Sequence, residues 1–106
     1  TTGAEKVLYS FQGGRFDGAT PYADLIDVKG TLIGTTDQGS VHEYGTVYQV
    51  STSGSERLLH RFSGGSEGSH PWAGLVNVKG TLYGTTYVGG SGCSGGGCGT
   101  VFAVKP

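Results

Sequence analysis

The chain has 106 residues, 22 of them glycine, with two cysteines, three prolines, no methionine and a formal net charge of −1. Its glycines lack the Gly-X-Y period of collagen, and aromatics spaced between them argue against disorder. It has no basic run to serve nucleic acid or an anionic membrane, and no apolar run near the ~18 residues of a membrane helix.

The start, Thr1-Thr2-Gly3-Ala4, fits a processed N-terminus. No segment carries apolar residues at i, i+3 and i+4 over three turns, so no helix is expected. Residues 5–11 alternate, with Val7, Tyr9 and Phe11 on one face. Pro21 precedes a second run at 22–28, where it removes no ladder bond. Lys29-Gly30 is a tight hairpin turn into a third run at 31–36. A fourth run follows at 45–51, and residues 52–55 turn the chain into a second copy of the same order.

The copying is explicit. Residues 28–36, Val-Lys-Gly-Thr-Leu-Ile-Gly-Thr-Thr, return at 78–86 as Val-Lys-Gly-Thr-Leu-Tyr-Gly-Thr-Thr. Residues 5–14 align with 56–65, 18–26 with 68–76, and 45–50 with 99–104. The length differences fall in glycine-rich stretches, which marks those as loops. The chain is thus expected to be a single domain, 1–106, of two repeats, about 5–54 and 56–106.

A unit of about 50 residues with four antiparallel strands has the size of a propeller blade. The strand at 5–11 aligns with the outermost strand of a blade, so it should close the blade of residues 72–104, in this chain or in another. Two blades cannot close a ring, which predicts an all-β homo-oligomer, most simply a six-bladed trimer. A four-bladed dimer or larger ring, or a monomeric eight-stranded barrel or sandwich, stays open. The expected core is Val7, Phe11, Leu25, Leu32, Val47, Leu58, Phe62, Leu75, Leu82 and Val101.

The motif Gly-Thr-Leu-Tyr-Gly-Thr-Thr at 80–86, followed by Gly89-Gly90 and by Gly-Thr-Val-Phe at 99–102, resembles the GloVer tandem repeat of secreted bacterial proteins. Residues 58–65 and 71–75 fit the same repeat. Ile33 in place of Tyr, the single Gly39 and the cysteine-bearing insertion depart from it. The resemblance implies an extracellular, propeller-like repeat protein and brings no defined activity.

Cys93 and Cys98 are separated by four residues, Ser-Gly-Gly-Gly, which can fold back far enough to join them, and a disulfide implies an oxidising, extracellular compartment. Zinc is not expected, because His42, His60 and His70 are scattered and no second cysteine pair exists. No cofactor is implied. The loop before the second run repeats a carboxylate, a polar residue, Pro and an aromatic: Asp17, Thr20, Pro21, Tyr22, then Glu67, His70, Pro71, Trp72. Sugar sites use that mixture, an aromatic face for C–H contacts and polar groups for hydroxyls. The competing reading makes Tyr22 and Trp72 wedges between blades.

Asp17, Tyr22, Asp24, Glu67, His70 and Trp72, with Tyr44 and Tyr87 on later loops, are therefore the candidate ligand-binding residues. A non-catalytic, lectin-like protein made multivalent by its ring is the leading expectation, with a glycan as partner. A protein-binding scaffold or defence inhibitor using the cysteine loop is the alternative. A glycoside hydrolase built on a carboxylate pair is a distant third.

Overall fold

The computed structural model describes residue 3 and residues 5–93 and 97–106. Its strands are β1 (Gly18–Ala19), β2 (Ile26–Val28), β3 (Thr31–Thr36), β4 (Gln38–Gly39), β5 (Thr46–Val50), β6 (Glu56–Arg61), β7 (Val76–Val78), β8 (Thr81–Thr86) and β9 (Thr100–Val104), with one 3-10 turn at Gly65–Glu67. No α-helix occurs among the described residues. β2-β3-β5-β6 form an antiparallel four-stranded sheet, and β7-β8-β9 repeat its first three strands. β1 pairs with β4, and a lone bridge between Ser69 and Val88 stands in the same place in the second copy. The sheets are small and open, so neither a barrel nor a closed sandwich forms among the described residues.

The hairpin turns follow from their chemistry. Lys29 and Gly30 both take positive φ, 54° and 86°, as a two-residue type I′ turn requires, and Lys79 and Gly80 do the same at 54° and 92°. The Gly30 N–H donates to Asp27 Oδ1 at 2.8 Å, and the Gly80 N–H to Asn77 Oδ1 at 2.9 Å. A threonine clasp then fastens the middle strands. Thr36 and Thr46 hydroxyls lie 2.7 Å apart, Thr86 and Thr100 hydroxyls 2.8 Å, and each clasp also takes a backbone N–H from the later threonine.

Each sheet has two apolar faces. Ile33 and Val47 on one face of the first sheet meet Leu75 and Leu82 on the second, and Phe62, just beyond β6, fills the seam. Phe62 contacts Phe102 edge-on at a centroid distance of 5.1 Å. Val47, Phe62, Leu75 and Leu82 are buried as expected, while Phe11, Leu32 and Leu58 are only partly covered. Val7, Leu25 and Val101 are exposed, against expectation, and Ile33, Tyr48 and Val50 are buried instead. The reason is positional: Val101 lies on the outer face of the second sheet, which no described segment covers, whereas residues 5–11 cover Tyr48 and Val50 on the outer face of the first sheet and leave Leu25 and their own Val7 open.

Residues 5–11 also depart from expectation. They form no regular strand and do not pair with β9. They lie across the other face of the first sheet, where Phe11 packs edge-on against Tyr48 at 4.8 Å. The first sheet stands between them and β9, so they cannot complete the second sheet of their own chain. Likewise the second run is strand only at Ile26–Val28, because residues 22–25 carry the loop out of the Pro21 bend.

Phe62→Ala should lower stability by about 3–5 kcal/mol, since it empties the seam between the sheets. Phe11→Ala, at a partly covered site, should cost clearly less. Denaturant midpoints of the two variants measured side by side check the ordering.

Candidate functional site

The Pro-aromatic loops enter through an uncommon backbone. Thr20 and His70, each just before a proline, take φ of 53° and 58°, a region L residues rarely occupy. His70 is held there from several sides. Its N–H donates to Tyr44 O at 2.8 Å, its carbonyl accepts the Tyr87 N–H at 3.0 Å, and its Nδ1 donates to Asp37 O at 2.9 Å. A carbonyl oxygen only accepts, so that last bond places a proton on Nδ1. Pro71, not the aromatic after it, is the residue of this loop that is fully buried.

Trp72 therefore rises from the surface rather than wedging between sheets. It is 49% exposed, and Tyr87 stacks on it at 4.4 Å with the rings 5° from parallel. Tyr22 stands edge-on to Trp72 at 6.4 Å. Tyr22 and Tyr87 are 68% and 61% exposed. Beneath them Trp72 Nε1 donates to Oδ1 of Asp37, a carboxylate from the first repeat that is only 7% exposed. The same Oδ1 lies 3.3 Å from His70 Nδ1. The result is an aromatic ridge contributed by both repeats and tied to one buried acid.

On the other side of His70 a cleft of about 420 Å³ is lined by Tyr44, Gly64, Ser69, His70, Val88 and Gly90, among others. His42 stacks on Tyr44 at 5.8 Å. Cys93, bonded to Cys98 with their Cα atoms 5.6 Å apart, reaches the cleft wall. Residues 94–96 of the cysteine loop lie outside the described residues. Among the described residues no cluster of three or more His, Cys, Asp or Glu could hold a metal ion.

The structure thus brings Tyr22, His70, Trp72 and Tyr87 together and places Tyr44 beside them. Asp24 is exposed in the loop leading to β2. Asp17 and Glu67 have another assignment in the fold. Asp17 Oδ2 accepts from Tyr9 Oη at 2.5 Å and from Gln12 N at 2.8 Å, and Oδ1 accepts from Gly18 N at 2.8 Å. Glu67 Oε2 meets His60 Nε2 at 2.9 Å and the Ser63 N–H at 2.8 Å. Each acid ties the start of its loop to a side chain of the segment before it, Tyr9 or His60, and the two latches are repeat equivalents.

Burial pushes both carboxyls up, but these hydrogen bonds outweigh it and hold Asp17 and Glu67 below their usual values. Tyr9 goes the other way, its hydroxyl raised chiefly by the bond to Asp17. Two residues the sequence did not single out complete the picture. Asp37 anchors the aromatic ridge; its signal was a break in the repeat, where Tyr87 stands in the second copy. Glu56 sits beside the Asp17 latch with a buried Oε2 that has no hydrogen-bond partner. Burial first and the Asp17 charge second raise its carboxyl to about 7.

Fold and latches together define a tandem-repeat, all-β protein in which each unit repeats one turn, one threonine clasp and one acid latch. The chain belongs to the Gloeobacter/Verrucomicrobia repeat family, which it matches over residues 1–106. No curated protein and no solved structure matches it.

Glu56 gives the fold a characteristic pH response. With its folded value near 7 and an ordinary value of 4.5, its contribution is fully present below about pH 4.5 and is lost as pH rises through 7. Asp17 and Glu67 act oppositely, their contribution being lost as pH falls through their lowered values. Glu56→Gln should therefore raise the melting temperature relative to the parent at pH 8 and lose that advantage at pH 4. Melting curves across that range check it.

Proposed function

We propose that this chain is a secreted, non-catalytic carbohydrate-binding protein. Its sheets act as propeller-type blades, and copies of the chain complete a ring, most simply a six-bladed trimer. The observation that carries the binding reading is the ridge of Tyr22, Trp72 and Tyr87, open to solvent while Trp72 is pinned from below by Asp37. Three clustered exposed aromatics are costly in water unless they meet something, and pinning removes the rotamer entropy that a ligand would otherwise have to freeze.

A pyranose ring presents C–H groups to such a face, and its hydroxyls suit the polar groups around His70. Asp17 and Glu67 are engaged in the loop latches of separate repeats, which supports a binding role over a hydrolytic carboxylate pair. The disulfide suits an oxidising compartment, and no described helix is long and apolar enough to cross a membrane. A ring would repeat each weak site and add avidity.

Trp72 is the only tryptophan, so its fluorescence reports on the ridge directly. Titration with a panel of neutral oligosaccharides should change that emission for at least one of them. Trp72→Ala should weaken the same sugar at least about tenfold on a glycan array, with an unchanged far-UV spectrum. A panel with no binder and no spectral change would overturn the reading.

A further inference from the structure

The inner seam contains a template for an outer one. There, Ile26, Val28, Ile33 and Val47 of the first sheet pack onto Leu75, Leu82, Phe102 and Val104 of the second. The repeat equivalents of the first group are Val76, Val78, Tyr83 and Val101, and all four are exposed, Val101 by 78%. The equivalents of the second group are Leu25, Leu32, Tyr48 and Val50, which line an apolar hollow of about 310 Å³ on the opposite side of the molecule. One outer surface is thus a copy of the inner seam's first half, and the other a copy of its second half.

The edge of the second sheet tells the same story. β5 is paired on its outer side by β6, whereas β9, its equivalent, has no outer partner among the described residues. β9 reads Thr-Val-Phe-Ala-Val, with none of the charges or prolines that guard an exposed edge. The strand that would fit is already in place on the far side. Tyr9 and Phe11 meet edge-on at 5.3 Å, and Phe11 reaches Tyr48, just as His60 and Phe62 meet at 4.9 Å and Phe62 reaches Phe102. The Asp17 and Glu67 latches match as well. Residues 5–11 therefore sit on the first sheet as β6 sits on the second, like an outermost strand waiting for its own sheet.

We infer that the occupant of both surfaces is a second copy of this chain. The second sheet of one copy docks on the hollow of the next, and its β9 pairs antiparallel with that copy's residues 5–11. Carrying over the register of β5 on β6 places Val104 opposite Glu5, Ala103 opposite Lys6, Phe102 opposite Val7 and Val101 opposite Tyr9. This deepens the ring proposed above and rests on it for closure alone; the contact itself stands without any sugar site. The interface is heterologous, so successive copies close a ring or extend as a filament.

Light scattering behind a sizing column tests it. The parent chain should elute at a multiple of its 10.8 kDa mass. Val101→Glu and Val7→Glu, both at exposed positions, should each elute at the single-chain mass with unchanged circular dichroism. Mixed together they should form a dimer, because each keeps the half that the other has lost. A parent chain that stays monomeric at millimolar concentration, or variants that keep the parent's mass, would overturn the proposal. The Trp72 emission of monomeric Val101→Glu should still respond to sugar, so failure of the interface and failure of the binding site are separately visible.

Discussion

Each repeat depends on a backbone approach that only glycine permits. A Cβ on Gly68 would lie 2.5 Å from Thr86 Oγ1 and 2.8 Å from Thr100 Oγ1, and one on Gly18 would lie 2.6 and 2.8 Å from the matching hydroxyls of Thr36 and Thr46. The hydroxyl pair ties the two middle strands of the sheet together, and the glycine lets the incoming loop rest directly on that pair. The loop then has one way to leave, through a positive-φ residue and a proline, which delivers the following aromatic outside the seam. The recurring Gly-Thr-Thr and Gly-Thr-Val motifs are the sequence trace of this contact.

The acid latches complete the constraint. They anchor the loop's first residues to the segment before it, using carboxylates whose hydrogen bonds outweigh their burial. A loop fixed at its acid, its glycine and its proline can hold an exposed tryptophan in one place. Order in the ridge is therefore a product of the scaffold beneath it.

Much of this was legible in the sequence because repetition turns local chemistry into a pattern. The Lys-Gly hairpins, the threonine strands, the disulfide and the loop aromatics all recur or stand at informative spacings. Exposure was less legible. Val47 and Val101 occupy the same position in the motif, yet one is buried and the other open, because a sheet's environment depends on its place in the stack. The same limit holds for residues 5–11: their pattern says outermost strand but carries no information on which chain's sheet lies within reach, and within this chain they do not pair with β9. Asp17 and Glu67 read as ligand groups because a carboxylate before a Pro-aromatic pair suits a latch and a sugar alike. Their hydrogen bonds to Tyr9 and His60 are what the sequence pattern does not carry.

Symmetry and its breaking divide the labour of the chain. Features common to both copies, the clasp, the turns and the latches, explain how the sheets form and stack. The ridge combines a feature of both copies, the aromatic after each proline, with one difference between them. Asp37 has Tyr87 as its equivalent, and the two converge on Trp72 from opposite repeats, one as a buried hydrogen-bond acceptor and the other as a stacked ring. Had both copies carried Asp, the ridge would lose a ring; had both carried Tyr, Trp72 would lose its anchor. A seam between two unlike copies can hold a site that neither copy contains alone, and in a repeat protein the departures from the repeat are where such sites arise.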